Sequence, residues 1–287
     1  MALIFLCFVG VVLSVLLAVA FVTLLERKLL GFAQHRPSPN RVAFTGHIQP
    51  ILDGGKLLCK EFHSVSRANL ALFVVAPVLA FVVMFFTWCV VPAAAFSLDI
   101  QLALLFLMVC MAFSVYSLLF TGWASNSKFA LLGSLRALAQ SVSYEIALSF
   151  ILLSVVAAHR SFALFAMFAF NFTWVLVLSS AALLWYLSTI AESNRAPFDF
   201  AEGESELVSG FNVEFGSVGF VLIFVSEYGT ILAFSAITPI LFLPVGLFVA
   251  SFAGLASLVL LLRAVYPRFR YDKLMFMAWF IFLPVAI

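Results

Sequence analysis

Eight long apolar runs divide this chain, at about residues 2–25, 70–91, 99–121, 134–157, 165–190, 217–237, 239–263 and 274–287. No other feature constrains the fold as tightly. A helix needs about 20 apolar residues to cross a hydrocarbon layer of about 30 Å. Inside lipid the backbone must also satisfy its own hydrogen bonds. The runs are continuous rather than alternating, which excludes the dyad pattern of a β-barrel. Mean hydropathy is +1.20 and only 10% of residues are charged, so no soluble domain of 287 residues fits. The expectation is an all-α polytopic membrane protein with about eight transmembrane helices, forming one integral membrane domain over 1–287. The first run does not read as a signal peptide, because its charges, Glu26, Arg27 and Lys28, follow it.

The cations set the orientation. Seven Lys and Arg follow the first run, two the third, one the fifth and four the seventh; Arg160 alone lies on the other side. By the positive-inside rule the loops at 26–69, 122–133, 191–216 and 264–273 face the cytoplasm or matrix, and both termini face away.

The first inner loop is too long for a turn. Residues 49–62 predict an amphipathic helix starting at Pro50, with Asp53, Lys56 and Lys60 on one face and Ile51, Leu58 and Phe62 on another. Such a helix lies in the membrane interface. A plain lipid anchor and a site-forming role both fit it. Tucked against the first span, it would frame a lateral mouth for a lipid-soluble substrate.

Six of the thirteen carboxylates fall in residues 191–216: Glu192, Asp199, Glu202, Glu204, Glu206 and Glu214, with Arg195 their one cation. Pro197, Phe198, Phe200, Leu207, Val208 and Phe211 interleave with them, so the loop can pack against protein as well as face water. Within the spans, Glu145 follows Tyr144, and Glu227 precedes Tyr228. A carboxylate inside an apolar helix must face a partner or a water-filled cavity. Together these groups outline a chain of proton acceptors; structural hydrogen bonding is the alternative for each.

Several functions are excluded or left to other chains. Cys7, Cys59, Cys89 and Cys110 have no metal-ligand spacing, and the four histidines form no paired motif. There is no glycine-rich nucleotide loop, and nothing suggests nucleic acid.

Five segments are diagnostic: LLERKLLGFAQHRPSPN (24–40), GHIQPILDGGKLLCKE (46–61), GWASNSKFALLGSLRALAQSVSYE (122–145), AESNRAPFDFAEGESELVSGFNVEFG (191–216) and YPRFRYDKLMFMAWFIFLP (266–284). Through them the chain resembles the subunit 1 family of NADH:ubiquinone oxidoreductase, respiratory complex I. That resemblance implies eight membrane helices forming most of a ubiquinone-access chamber. It implies that Glu145, Glu192, Asp199, Glu202, Glu204, Glu206, Glu214 and Glu227 couple quinone reduction to proton pumping, and that Arg27, Arg36, Arg195 and Phe224 line the chamber. Ubiquinone would be the substrate, with no cofactor bound by this chain. Iron–sulfur clusters and flavin would sit in partner subunits: a peripheral quinone-reducing module, with antiporter-like membrane subunits and lipids alongside.

Departures from the family pattern are Pro37-Ser38 for a usual Lys-Gly, Ala43-Phe44-Thr45 for a Gly-Pro turn, and Phe280 for a Lys. Residues 274–287 as a helix reach about 21 Å, short of a bilayer core. A related membrane subunit of a membrane-bound hydrogenase and a stand-alone proton or cation transporter are the alternatives. The second lacks an inverted repeat. Thirty-five Phe against five Lys suggests a T-rich coding strand. With no presequence, the expectation is an organelle-encoded protein of the mitochondrial inner membrane, the alternative being a bacterial plasma membrane.

Overall fold

The computed structural model of the protein describes residues 2–41, 46–62, 66, 68–92, 100–169, 177–199 and 210–287. Among these there is no strand. Helices α1 (Ala2–Ala33), α3 (Leu70–Val90), α4 (Ala103–Ala124), α5 (Lys128–His159), α8 (Ser217–Phe242) and α9 (Phe248–Val265) take up six of the expected runs. Each is long and apolar enough to cross a membrane. The fifth run appears as α6 (Leu164–Ala169) and α7 (Ser179–Glu192), with residues 170–176 outside the described set. The eighth begins earlier than expected, at α10 (Tyr271–Phe276). It continues through a π-helical turn (Met277–Phe282) into α11 (Leu283–Ala286). Residues 271–286 reach roughly 24 Å, still short of a bilayer core. The interfacial helix is α2 (Gln49–Leu58), with Pro50 in its first turn.

Two spans outlast their apolar runs. α1 carries Glu26, Arg27 and Lys28 as helix rather than loop, and α5 starts at Lys128, so most of the second inner loop is helical. Polar residues extend a helix where tertiary partners await them, and hydropathy alone registers only their charge.

α8 forms the middle of the bundle and α9 its edge: 61% of the most apolar window of α8 is buried, against 11% for α9. α8 packs on α3, α9 and α1, while α5 packs on α4 and α7. Met84, Leu107, Leu148, Trp185 and Ile237 fill the core between them. Trp185 donates its indole N–H to Thr238 Oγ1 of α8 at 3.1 Å. Exposed Val, Leu and Phe on the outer faces suit lipid contact.

Chain direction fixes an expected labelling pattern. In sealed vesicles, Arg270→Cys should react with a membrane-impermeant maleimide only from the cation-rich side, and Leu247→Cys only from the other. Reversed accessibility would overturn the orientation.

Candidate functional site

Residues Glu26, Arg27 and Lys28 diverge because successive helical positions rotate by about 100°. Glu26 points into the bundle and is 4% exposed. Its carboxylate accepts from the Tyr228 hydroxyl of α8 and from the Arg263 guanidinium of α9. Arg27 turns to α2, where it pairs with Asp53 at 2.8 Å. Gln49 also donates to Asp53, at 3.1 Å. Lys28 faces a third direction, into a cavity of about 640 Å³ that it shares with Arg36 and His47.

The Arg27–Asp53 pair holds α2 against span 1. Its other end is held by the Ser217 hydroxyl of α8, which donates to the Lys60 carbonyl at 2.7 Å. α2 ends at Leu58, so Lys60 and Phe62, which the pattern places within the helix, lie beyond it. Phe62 instead sits edge-on to Phe73, which stacks on Phe215 at 4.2 Å. Local periodicity extends the helix through Phe62; these tertiary contacts turn the chain first.

On α8 the rings of Phe220, Phe224 and Tyr228 follow one another at four-residue steps. Their centroids are 4.2 and 6.5 Å apart. Since Tyr228 reaches Glu26, this stripe runs along the side of α8 that meets α1. The Arg195 guanidinium lies 4.3 Å from the Tyr228 ring centroid and 3.5 Å from the Glu227 carboxylate. A buried charge is costly unless paired, and here two ion pairs, Arg263–Glu26 and Arg195–Glu227, are joined through the neutral Tyr228.

This line of groups ends at a second cavity, of about 70 Å³, between α3, α4 and α8. Glu192, Asn194 and Glu227 line it, with Thr87, Ser117 and Thr230 on its walls. These hydroxyls donate to carbonyls of their own helices. Their lone pairs therefore remain as acceptors. The volume suffices for ordered water. Among the described residues, one Glu192 carboxylate oxygen and the Asn194 side-chain oxygen are buried without a hydrogen-bond partner.

Glu192 is the last residue of α7, and Asn194 takes a left-handed conformation (φ 50°) that ends the helix. Burial, and in smaller part the Glu145 carboxylate, pushes the Glu192 pKa up to about 8. Burial thus favours the protonated carboxyl of Glu192 near neutral pH.

The start of the acidic loop is fastened to its surroundings. Gln140 of α5, 1% exposed, donates to the carbonyls of Ala191 and Phe198, each at 2.9 Å. Asp199 accepts from Arg268 at 3.2 Å, and Phe198 stacks on Phe269. Tyr144 is fully buried and donates to the Leu274 carbonyl at 3.1 Å; Glu145 beside it is half-buried. At the loop's far end, Gly210 lies so close to Gly133 that a Cβ there would come within 3.0 Å. Glu214 follows this turn, half-buried. Glu202, Glu204 and Glu206 lie outside the described residues, as do Phe200, Leu207, Val208 and the Ala43–Thr45 departure.

The structure thus brings together Glu192, Glu227, Arg195, Tyr228 and, through Tyr228, Phe224. Arg36 does not join them; it faces the cavity beside Lys28. Glu26, Arg263 and Gln140 are central, yet the sequence pattern did not single them out. The charged triplet read as the flank of the first run, and Gln140 stood inside a diagnostic segment without a role of its own. The signal available was a carboxylate within three residues of an apolar run, which needs a partner once the helix extends past it.

The fold and these buried ion pairs define a polytopic helical membrane protein that keeps ionisable groups inside its bundle. The family model described as NADH dehydrogenase matches residues 6–287. The chain is 45% identical to NADH-ubiquinone oxidoreductase chain 1 of Osphranter rufus, with 96% of this chain and 91% of the relative aligned. It is 47% identical to the chain of the same description from Branchiostoma lanceolatum, over 95% and 89%. It belongs to this NADH dehydrogenase family.

Proposed function

We propose that this chain, a membrane subunit of NADH–ubiquinone oxidoreductase, forms the ubiquinone-access chamber and couples quinone reduction to proton translocation in the mitochondrial inner membrane. All of residues 1–287 serve as one integral membrane domain. The observation that carries the reading is the continuous line of ionised and polar groups from Arg263 and Glu26, through Tyr228 and Arg195, to Glu227 at the Glu192 cavity.

Ubiquinone is a flat, neutral ring on a lipid-soluble tail. It enters where α1, α2 and α8 meet, beside the Arg27–Asp53 pair, and passes the Phe224–Tyr228 stripe, whose rings can stack on it. Electrons come from an iron–sulfur cluster of a peripheral partner, which with its flavin supplies the redox chemistry. This chain's residues orient the ring and respond to its change in charge. Arg195 bridges Tyr228 and Glu227, so a field change on one side is felt at Glu227 and then at Glu192 and Glu145. Carboxylates this close titrate as a set. Asp199, Glu202, Glu204, Glu206 and Glu214 extend the relay along the loop, toward antiporter-like membrane partners.

Glu192→Gln should leave the complex assembled while quinone reduction and proton pumping fall about tenfold or more, as expected when a positioned proton carrier is lost. In the wild type a protonated-carboxyl infrared band should disappear as pH rises through about 8, and that band should be absent from the variant. Normal pumping in Glu192→Gln would remove the residue from the relay. A stand-alone transporter would pump without its partners, so activity of the isolated chain would defeat the subunit reading.

The substrate path has its own test. Phe224→Ala should raise the apparent KM for a short-chain quinone about two- to tenfold, the worth of one lost aromatic contact. NADH oxidation by an artificial acceptor should not change. An unaltered KM would place the path elsewhere.

A further inference from the structure

We propose that the cavity of about 70 Å³ beside Glu192 is a binding site for a monovalent cation, Na⁺. The site needs only the Glu192 carboxylate and the oxygens around it, and it rests neither on the proposed quinone path nor on proton transfer.

Three observations select the ligand. First, the cavity presents many acceptors and few donors. Every hydroxyl in its described lining donates to the carbonyl three residues before it, as Thr87 does to Met84 at 2.6 Å and Thr230 to Glu227 at 2.8 Å. With the proton committed, each hydroxyl has only lone pairs to offer a guest. One Glu192 carboxylate oxygen and the Asn194 side-chain oxygen add two further acceptors, buried and without a hydrogen-bond partner among the described residues. Carboxylate, amide and hydroxyl oxygens are hard donors and suit a hard cation. Among the described residues no group of three or more His, Cys, Asp or Glu gathers to hold a transition metal.

Second, the charge calls for one positive unit. Glu192 is 9% exposed, and the described lining contains no Lys, Arg or His. Arg195 is directed to Glu227, the other carboxylate of the cavity, at 3.5 Å and lies over the Tyr228 ring. An ionised Glu192 is therefore the charge that a guest must compensate. Water would satisfy the acceptors and leave that charge in place. A divalent ion would overcompensate it. A carboxylate is a high-field oxygen and favours the smaller Na⁺ over K⁺. The volume holds such an ion together with about one water.

Third, the cavity lies at a helix C-terminus. α7 runs from Ser179 and ends at Glu192. The negative end of its dipole thus faces the cavity and favours a cation there. Helix C-terminal ends inside a membrane coordinate Na⁺ in the same way in transporters.

The test uses the intact complex, purified in mild detergent, with radioactive Na⁺ as the probe and no turnover. The medium is held above pH about 8, where the Glu192 carboxyl is ionised. The wild type should retain a single Na⁺ more than Glu192→Gln, which keeps an oxygen but lacks the charge. Thr230→Val should weaken binding of that ion about tenfold, as the loss of one supporting group does in metal sites, and Thr230→Ser should restore it. Unlabelled Na⁺ should displace the probe at concentrations about tenfold lower than K⁺ or Ca²⁺. Equal retention by the wild type and Glu192→Gln would show a cavity that holds water alone. Equal displacement by K⁺ or Ca²⁺ would show a site of another kind. Either outcome, or wild-type binding in Thr230→Val, overturns the proposal. If Glu192→Gln fails to assemble, the comparison of Thr230→Val with Thr230→Ser decides. The relay is judged on pumping and this site on equilibrium binding, so either can fail without the other.

Discussion

Arg263→Met is expected to destabilise the subunit by about 2 kcal/mol and to lower the temperature at which the assembled complex loses quinone reductase activity. Removing one partner of a fully buried ion pair costs about 3–5 kcal/mol, because the remaining charge is left without compensation. The Arg263 side chain is 43% exposed while that of Glu26 is 6% exposed, so water replaces part of the lost interaction. The effect should depend on the carboxylate. Glu26→Gln removes the charge but still accepts from Tyr228, so Glu26→Gln/Arg263→Met should be more stable than Arg263→Met alone. Tyr228→Phe should cost about 1–3 kcal/mol, the penalty for a buried acceptor that loses a donor. Strict additivity of the Glu26→Gln and Arg263→Met effects would show that the two residues are not coupled.

The second large effect is expected at Gln140. Its side-chain nitrogen is the described link between α5 and two carbonyls at the start of the acidic loop, those of Ala191 and Phe198. Gln140→Leu keeps the approximate volume and removes both bonds. Each buried carbonyl left without a donor costs about 1–3 kcal/mol. The Ala191 carbonyl keeps a bond from the Asn194 N–H at 3.3 Å, so the main loss falls at Phe198. The functional consequence should exceed the loss of stability. Glu192 and Asp199 flank the fastened stretch, so the variant should assemble in reduced yield, with pumping impaired more than NADH oxidation by an artificial acceptor. Gln140→Glu should be worse still, since a carboxylate would face the same carbonyls without a proton to donate. Full activity in Gln140→Leu would show that the loop is held well enough by its ring contacts with Phe269 and Tyr144, the Arg268–Asp199 pair and the Phe269 N–H bond to the Pro197 carbonyl.

The membrane spans were legible because lipid imposes one rule on every backbone group. A run such as 70–91 has no alternative to a helix, and the helix found is Leu70–Val90. The ends were less legible. α1 runs on to Ala33 because Glu26 and Arg27 find partners, and those partners come from α8, α9 and α2. The interfacial helix showed the opposite error: its pattern continues to Phe62, but the chain turns at Leu58.

The site divides in the same way. Glu145, Glu192 and Glu227 stand out in any reading, since a carboxylate among apolar neighbours signals its own cost. Glu26 did not, because it sits where a span was expected to end. By itself the sequence determined the class of protein, the helical state of its spans, the concentration of carboxylates in one loop and, through five diagnostic segments, the family. These depend on hydropathy and on residue identity in order, which are properties of the chain alone. Only the tertiary structure decided that Arg263 meets Glu26, that Arg195 lies over Tyr228, that Gln140 holds the loop, and that Arg36 faces away from the rest. Those pairings join residues up to 237 positions apart. They arise because buried charges and unbonded carbonyls must be satisfied wherever packing places them.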